Sequence, residues 1–87
     1  MKYIVKYYLR ADDNTYDSGY KTKKSETDLT AKDLKDFLKA ELKVDEKYTV
    51  ESELLEATSH DVELIDSKVL AGREFQNYEY NIRLKKK

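Results

Sequence analysis

Apolar and polar residues alternate with period two along residues 2–10, "KYIVKYYLR". Tyr3, Val5, Tyr7 and Leu9 share one face, and Ile4, Lys6, Tyr8 and Arg10 share the other. Aromatic and β-branched residues in that pattern predict a strand. "ADDN" follows as a turn, because Asp and Asn tolerate tight-turn backbone angles. Residues 15–23, "TYDSGYKTK", predict the returning strand of a hairpin, with Tyr16 and Tyr20 on one face and a bulge at Gly19.

The period then changes. Ala31, Leu34, Phe37, Leu38 and Leu42 fall on one stripe of a helix over 30–43. Thr30 is a suitable N-cap, Asp33 sits three residues on as in a capping box, and Leu29 and Leu34 have the spacing of a hydrophobic staple. Lys32, Lys35, Asp36, Lys39 and Lys43 occupy the opposite face.

Period two returns at 48–55, "YTVESELL". Uninterrupted alternation puts Tyr48, Val50, Ser52 and Leu54 on one face and Thr49, Glu51, Glu53 and Leu55 on the other. A short helix over 52–57 is the rival reading, since Glu, Leu and Ala are good helix formers. "DVELID" (61–66) predicts a strand with Val62 and Leu64 inward and Asp61 and Glu63 outward. "LAGRE" contains Gly72 and reads as a turn. "FQNYEYNIRL" (75–84) gives a last strand with Tyr78, Tyr80, Ile82 and Leu84 on one face, before a basic tail, Lys85, Lys86 and Lys87.

The order is ββαβββ, a single α+β domain over 1–84 with the tail at 85–87. A single apolar stripe covers one surface, so one helix is expected on one face of a mixed sheet of four to five strands. A helix crossing after an N-terminal hairpin, with the last strand beside the first, is the arrangement of the β-grasp fold. The chain is similar to ubiquitin-like domains in length and element order, a likeness of architecture that carries no function.

Size and charge narrow the function. The chain has 87 residues, 40% of them charged, with eight Tyr, two Phe, no Cys and no Pro. A domain of this length buries roughly 60–65% of its unfolded surface, enough for one core and little for a deep cavity. Without Cys there is no disulfide, thiolate metal site or Cys nucleophile. The first residues open directly on a strand pattern with no signal-peptide core, and no run approaches a membrane span, so a cytoplasmic protein away from membranes is expected. Abundant Lys, Tyr, Asn and Ile suit an AT-rich microbe or its phage. The net charge of −1 is unevenly spread: residues 1–44 carry +2, residues 45–66 carry −7 and residues 67–87 carry +4.

Candidate chemistry is thin. Ser59, His60 and Asp61 are the residue types of a hydrolase triad. Consecutive Cα atoms lie about 3.80 Å apart, and in extended chain their side chains alternate sides. Adjacent residues therefore make a poor relay, and a polar connector is the simpler reading. His60 is the only His, so a zinc site is not expected, although its acidic surroundings favour its charged form. "DDNTYDSG" (12–19) fails the calcium-loop spacing, with Tyr16 at the fifth position and Lys23 at the twelfth. Two lone Gly residues make no phosphate loop. No catalytic residue, metal or cofactor is expected.

The expected working surface is the helix-free face of the sheet. There Glu51, Glu53, Asp61 and Glu63 project together, beside Ile4, Tyr8, Leu55 and Ile65. Apolar and aromatic residues ringed by acids suit a protein interface. The reading is a non-enzymatic module that docks on a basic protein surface, such as that of a host nucleic-acid-binding protein, in the manner of a phage or mobile-element inhibitor. One alternative is a nucleic-acid binder using Lys32, Lys35, Lys39, Lys43 and the tail. Another is self-association that buries the outer apolar residues across a two-fold axis.

Overall fold

The computed structural model describes residues 2–57, 62–70 and 77–87. Ser59, His60, Asp61 and the turn at Gly72 lie outside these residues. The described chain is a mixed α+β fold, one helix packed on a multi-stranded sheet. In chain order the elements are β1 (Lys2–Ala11), β2 (Tyr16–Lys24), β3 (Leu29–Thr30), α1 (Ala31–Leu42), a 3-10 turn (Val44–Glu46), β4 (Tyr48–Ala57), β5 (Val62–Glu63), β6 (Val69–Leu70) and β7 (Asn77–Lys86). The five-stranded sheet runs β2-β1-β7-β4-β5, and β3 and β6 form a separate two-residue ribbon. β1 and β7 are parallel at the centre, and every other pairing is antiparallel.

The period-two faces of β1 and β7 close the core as expected. Tyr3, Val5, Tyr7, Leu9 and Ala11 meet Tyr78, Tyr80, Ile82 and Leu84, and all nine are buried. Ala31, Leu34 and Leu38 of α1 cover them, with Phe37 and Leu42 partly buried alongside. The helix starts where its cap chemistry dictates. Thr30 Oγ1 accepts from the Asp33 N–H at 3.2 Å, and Asp33 Oδ2 accepts from the Thr30 N–H at 3.0 Å, a reciprocal capping box. It ends at Lys43, whose left-handed backbone (φ 54°) turns the N–H back onto the Ala40 carbonyl.

The strand expected over 48–55 forms and runs on to Ala57, and the rival helix over 52–57 does not; pairing with β7 outweighs the helix propensity of Glu, Leu and Ala. The alternation along β4 is broken. Val50 pairs with Leu84 and Ser52 with Arg83, which leaves Glu51 as an extra residue in a bulge. Beyond it the parity inverts, so Glu53, Leu55 and Ala57 pair with the inward residues Ile82, Tyr80 and Tyr78. Deleting Glu51 therefore restores an unbroken ladder with every other side chain on its present face. The deletion variant is expected to fold and to lie within about 1 kcal/mol of the intact chain in urea unfolding. A chain that fails to fold would contradict the bulge.

Gly19 makes no bulge. β1 and β2 pair without interruption, and Gly19 faces Tyr7. A Cβ there would lie 2.9 Å from Tyr7 Oη and 3.2 Å from two ring carbons, so the glycine admits the tyrosine ring. Gly19→Ala is expected to cost about 1–2 kcal/mol from overpacking, net of the gain in strand propensity. The Tyr7→Phe background should recover at least about 0.5 kcal/mol of it in a double-mutant cycle; additive effects would contradict the close approach.

The basic end is part of the sheet. Lys85 and Lys86 lie in β7, opposite Thr49 and Tyr48, and the Lys86 N–H donates to Asp12 Oδ1 at 2.8 Å. Lys87 donates its N–H to the Lys47 carbonyl at 3.0 Å and its Nζ to the Asp45 carbonyl at 2.7 Å. The apolar alternation stops at Leu84, yet the ladder continues because β4 still offers it partners.

Candidate binding face

The helix occupies one side of the sheet, so the other side presents the complementary residue set. Register brings Tyr16, Ser18, Tyr20 and Thr22 of β2 opposite Arg10, Tyr8, Lys6 and Ile4 of β1. On the other flank of β1, the same residues from Ile4 to Arg10 meet Asn77, Glu79, Asn81 and Arg83 of β7. Ser52, Leu54 and Glu56 of β4 complete the face. Among the described residues, no helix or loop covers Tyr16 and Tyr20, which are 58% and 66% exposed.

The cations and rings on this face are interleaved. Lys6 Nζ lies 5.2 Å from the Tyr8 ring centroid and 5.8 Å from that of Tyr20, within cation–π range of both. A hydrogen bond to Tyr8, then the charges of Tyr20, Tyr8 and Glu79, raise the Lys6 ammonium above its usual range, so it stays charged. Arg10 stands between Tyr16 on one side and Arg83 on the other. The Arg83 Nε is 4.0 Å from Glu51 Oε2, a long contact between exposed groups that contributes little. Tyr8, Arg10, Tyr16, Ser52, Leu54, Asn81 and Arg83 surround an open depression of about 470 Å³, which Glu53 and Ile82 also line. A smaller one of about 240 Å³ lies beside Lys6, Tyr20 and Glu79.

The expected acidic face is redistributed. Glu51 is exposed on the bulge. Glu53 lies on the helix side, where Oε2 accepts from the Tyr80 hydroxyl at 2.5 Å and Oε1 is 3.4 Å from Lys39 Nζ. Burial, then the hydrogen bond from its hydroxyl to Glu53, push Tyr80 far above the ordinary phenol range. Leu55 is fully buried in the core. Both displacements follow from the single extra residue at Glu51. Asp61 lies outside the described residues, and Glu63 is in register with Glu56. Ile4 and Tyr8 are on the outer face and half-buried. Ile65 is exposed, but in the turn closed by the Lys68 N–H on its carbonyl, beyond the strands. On the outer face Glu56 of β4 instead pairs with Glu79 of β7.

The helix stripe is largely engaged. Lys32 Nζ is 2.9 Å from Asp36 Oδ2, and Lys39 lies between Asp36 and Glu53. The hydrogen bond from Lys32 holds the Asp36 carboxyl below its ordinary range. Lys35, expected in solvent, is buried; its Nζ donates to Asp66 Oδ1 at 2.7 Å and lowers that carboxyl too. The reason is the 66–68 segment, which lies across the start of α1 and accepts the Lys32 and Ala31 N–H groups on the Asp66 and Lys68 carbonyls. Lys43 closes the helix with its backbone and its side chain is exposed. These lysines therefore form no continuous free cationic stripe.

Lys6, Arg10, Tyr16, Tyr20 and Arg83 are the residues that sequence reasoning left out of the site. The parity of β1 already grouped Lys6 and Arg10 with Ile4 and Tyr8. What was missing was the register that sets Tyr16 and Tyr20 beside them and Arg83 beside Arg10. Among the described residues, no group of three or more His, Asp or Glu is placed to hold a metal ion, and no helix is long and apolar enough to cross a membrane. No family model, no curated protein and no solved structure matches this chain.

Proposed function

We propose that this chain is a β-grasp-type binding module without catalytic chemistry, and that it meets a macromolecular partner with the helix-free face of its sheet. The strand order β2-β1-β7-β4-β5, with parallel central strands and one helix crossing on one side, supports the β-grasp reading. The observation that carries the functional reading is the exposed pair Tyr16 and Tyr20 set among Lys6, Arg10 and Arg83. Tyr and Arg are the residues that dominate binding energy at interfaces. The exposed rings and cations contribute little to folding beyond the contacts of Lys6 with Tyr8 and Tyr20 and of Arg83 with Glu51. The partner expected from the sequence was one with a basic surface; the basic and aromatic field favours one that brings negative charge, with Glu56 and Glu79 bounding the contact.

Affinity capture from the source cells tests this with two variants. Tyr16→Ser with Tyr20→Ser changes only exposed side chains, and Lys32→Ser with Lys43→Ser alters the helix side. The macromolecule recovered by the intact chain should be lost from the tyrosine variant and kept by the helix variant. The reverse pattern would place the working surface on α1.

A further inference from the structure

We infer that the partner is a single-stranded nucleic acid, held with a phosphate between Arg10 and Arg83 and with bases stacked on Tyr8, Tyr16 and Tyr20. This inference rests on the helix-free face being the working surface. Arg10 and Arg83 are direct partners on the parallel strands β1 and β7, so their stems leave the sheet about 4.8 Å apart. Like charges directly opposite each other are unfavourable. Among the described residues, Glu51 is the only carboxylate within 4.0 Å of either group, and it reaches Arg83 alone. A phosphate can accept from two guanidinium groups at once, with short charge-assisted bonds.

The tyrosines are spaced for unstacked bases. Tyr8 lies opposite Ser18, and Tyr16 and Tyr20 flank Ser18 by two residues on either side. Each is thus a diagonal neighbour of Tyr8, at about 7–8 Å, roughly twice the 3.4 Å rise of a stacked strand. Bases set on successive rings must be splayed, which a single strand allows and a duplex does not. The two depressions lie toward the two ends of this line, one beside Arg10 and Tyr16 and one beside Lys6 and Tyr20. Asn81 and Ser52 border the larger one and can bond base edges or sugar hydroxyls. Aromatic platforms with cations along the backbone path are how sheets hold single strands with little sequence preference.

Fluorescence anisotropy with labelled fifteen-residue oligouridine and oligodeoxythymidine, and a duplex of equal length, tests this at 50 mM salt. At least one single strand should bind with Kd of about 1–100 µM, weakening with salt at a log–log slope of roughly −2 to −3 for three to four phosphates. The duplex should bind at least about tenfold more weakly. Arg10→Gln with Arg83→Gln should weaken binding at least about tenfold, and Tyr16→Ser at least about fivefold. Lys32→Gln with Lys43→Gln should change it less than about twofold. Circular dichroism and melting establish that each variant is folded. No binding of either strand up to about 300 µM, equal affinity for the duplex, or indifference to the arginine pair would overturn the inference. Should the strands fail while capture still depends on Tyr16 and Tyr20 and resists nuclease, the face is a protein-binding surface. Failure of both experiments removes the proposed face as well.

Discussion

Replacing Glu53 with Ala is expected to lower the free energy of unfolding by about 2–4 kcal/mol, while Glu51→Ala changes it by no more than about 0.5 kcal/mol. The two glutamates are two residues apart on one strand, and simple alternation would make them equivalent. The bulge separates them. Glu53 lies between the buried Tyr80 hydroxyl, 2.5 Å away, and the Lys39 ammonium. Its removal leaves a fully buried hydroxyl without its acceptor and leaves the half-buried Lys39 with only the longer, 3.7 Å contact to Asp36. Hydrogen bonds to charged groups contribute about 1.5–3 kcal/mol, and a stranded buried polar group costs a further 1–3 kcal/mol before relaxation. Glu51 makes only its 4.0 Å contact with Arg83, in solvent. Urea unfolding of both variants measures the difference. Equal, small effects would return Glu53 to the outer face and restore the acidic surface that the sequence suggests.

Tyr3→Phe is expected to cost about 2–3 kcal/mol, large for the loss of one oxygen atom. Tyr3 is fully buried, with its ring centroid 6.2 Å from that of Tyr78. Its hydroxyl donates to the Leu70 carbonyl at 2.7 Å and accepts from the Leu29 N–H at 2.9 Å. Leu29 and Leu70 are themselves partners in the ribbon of β3 and β6. One phenol oxygen therefore ties that ribbon, and the start of α1 behind it, to the first strand. Phenylalanine fills the same space but leaves a buried acceptor and a part-buried donor unpaired, each at about 1–3 kcal/mol, less what the backbone can recover. For a domain of this size the melting temperature should fall by roughly 10–20 °C, with faster hydrogen exchange at the Leu29 amide. A loss below about 0.5 kcal/mol would mean that the hydroxyl has other partners.

The parts of the fold that were legible rest on short-range physics. The stripe from Ala31 to Leu42 and the cap at Thr30 and Asp33 are local, and both are present. So is the inward row from Tyr3 to Leu9. The β3–β6 ribbon was not legible, because two-residue strands carry no period and depend on contacts between residues about forty apart. The bulge at Glu51 escaped for a different reason. "TVESEL" alternates as well without a bulge as with one, and the pairing with β7 decides where the extra residue goes. That one residue moved Glu53 and Leu55 from the expected binding face to the interior. Lys35 was misplaced because helical period cannot foresee a second segment, 66–68, lying over its face.

The candidate face was half legible. Strand parity put Ile4, Lys6, Tyr8 and Arg10 together, and it put Tyr16 with Tyr20. The neighbourhoods that give these residues meaning, Tyr20 beside Lys6 and Arg83 beside Arg10, are long-range register. Total charge concealed them further. The chain is slightly acidic overall, yet Lys6, Arg10 and Arg83 gather on one face, and on the helix side Asp36 and Glu53 are paired with Lys32 and Lys39.

Amide chemical-shift mapping on the folded protein, with a single-stranded oligonucleotide added to saturation, tests the helix-free face most directly. The largest changes should fall on β1, β2 and β7, at Tyr8, Arg10, Tyr16, Tyr20 and Arg83, with α1 nearly silent. Changes concentrated on Lys32, Lys43 and residues 85–87, or none at all, would contradict it.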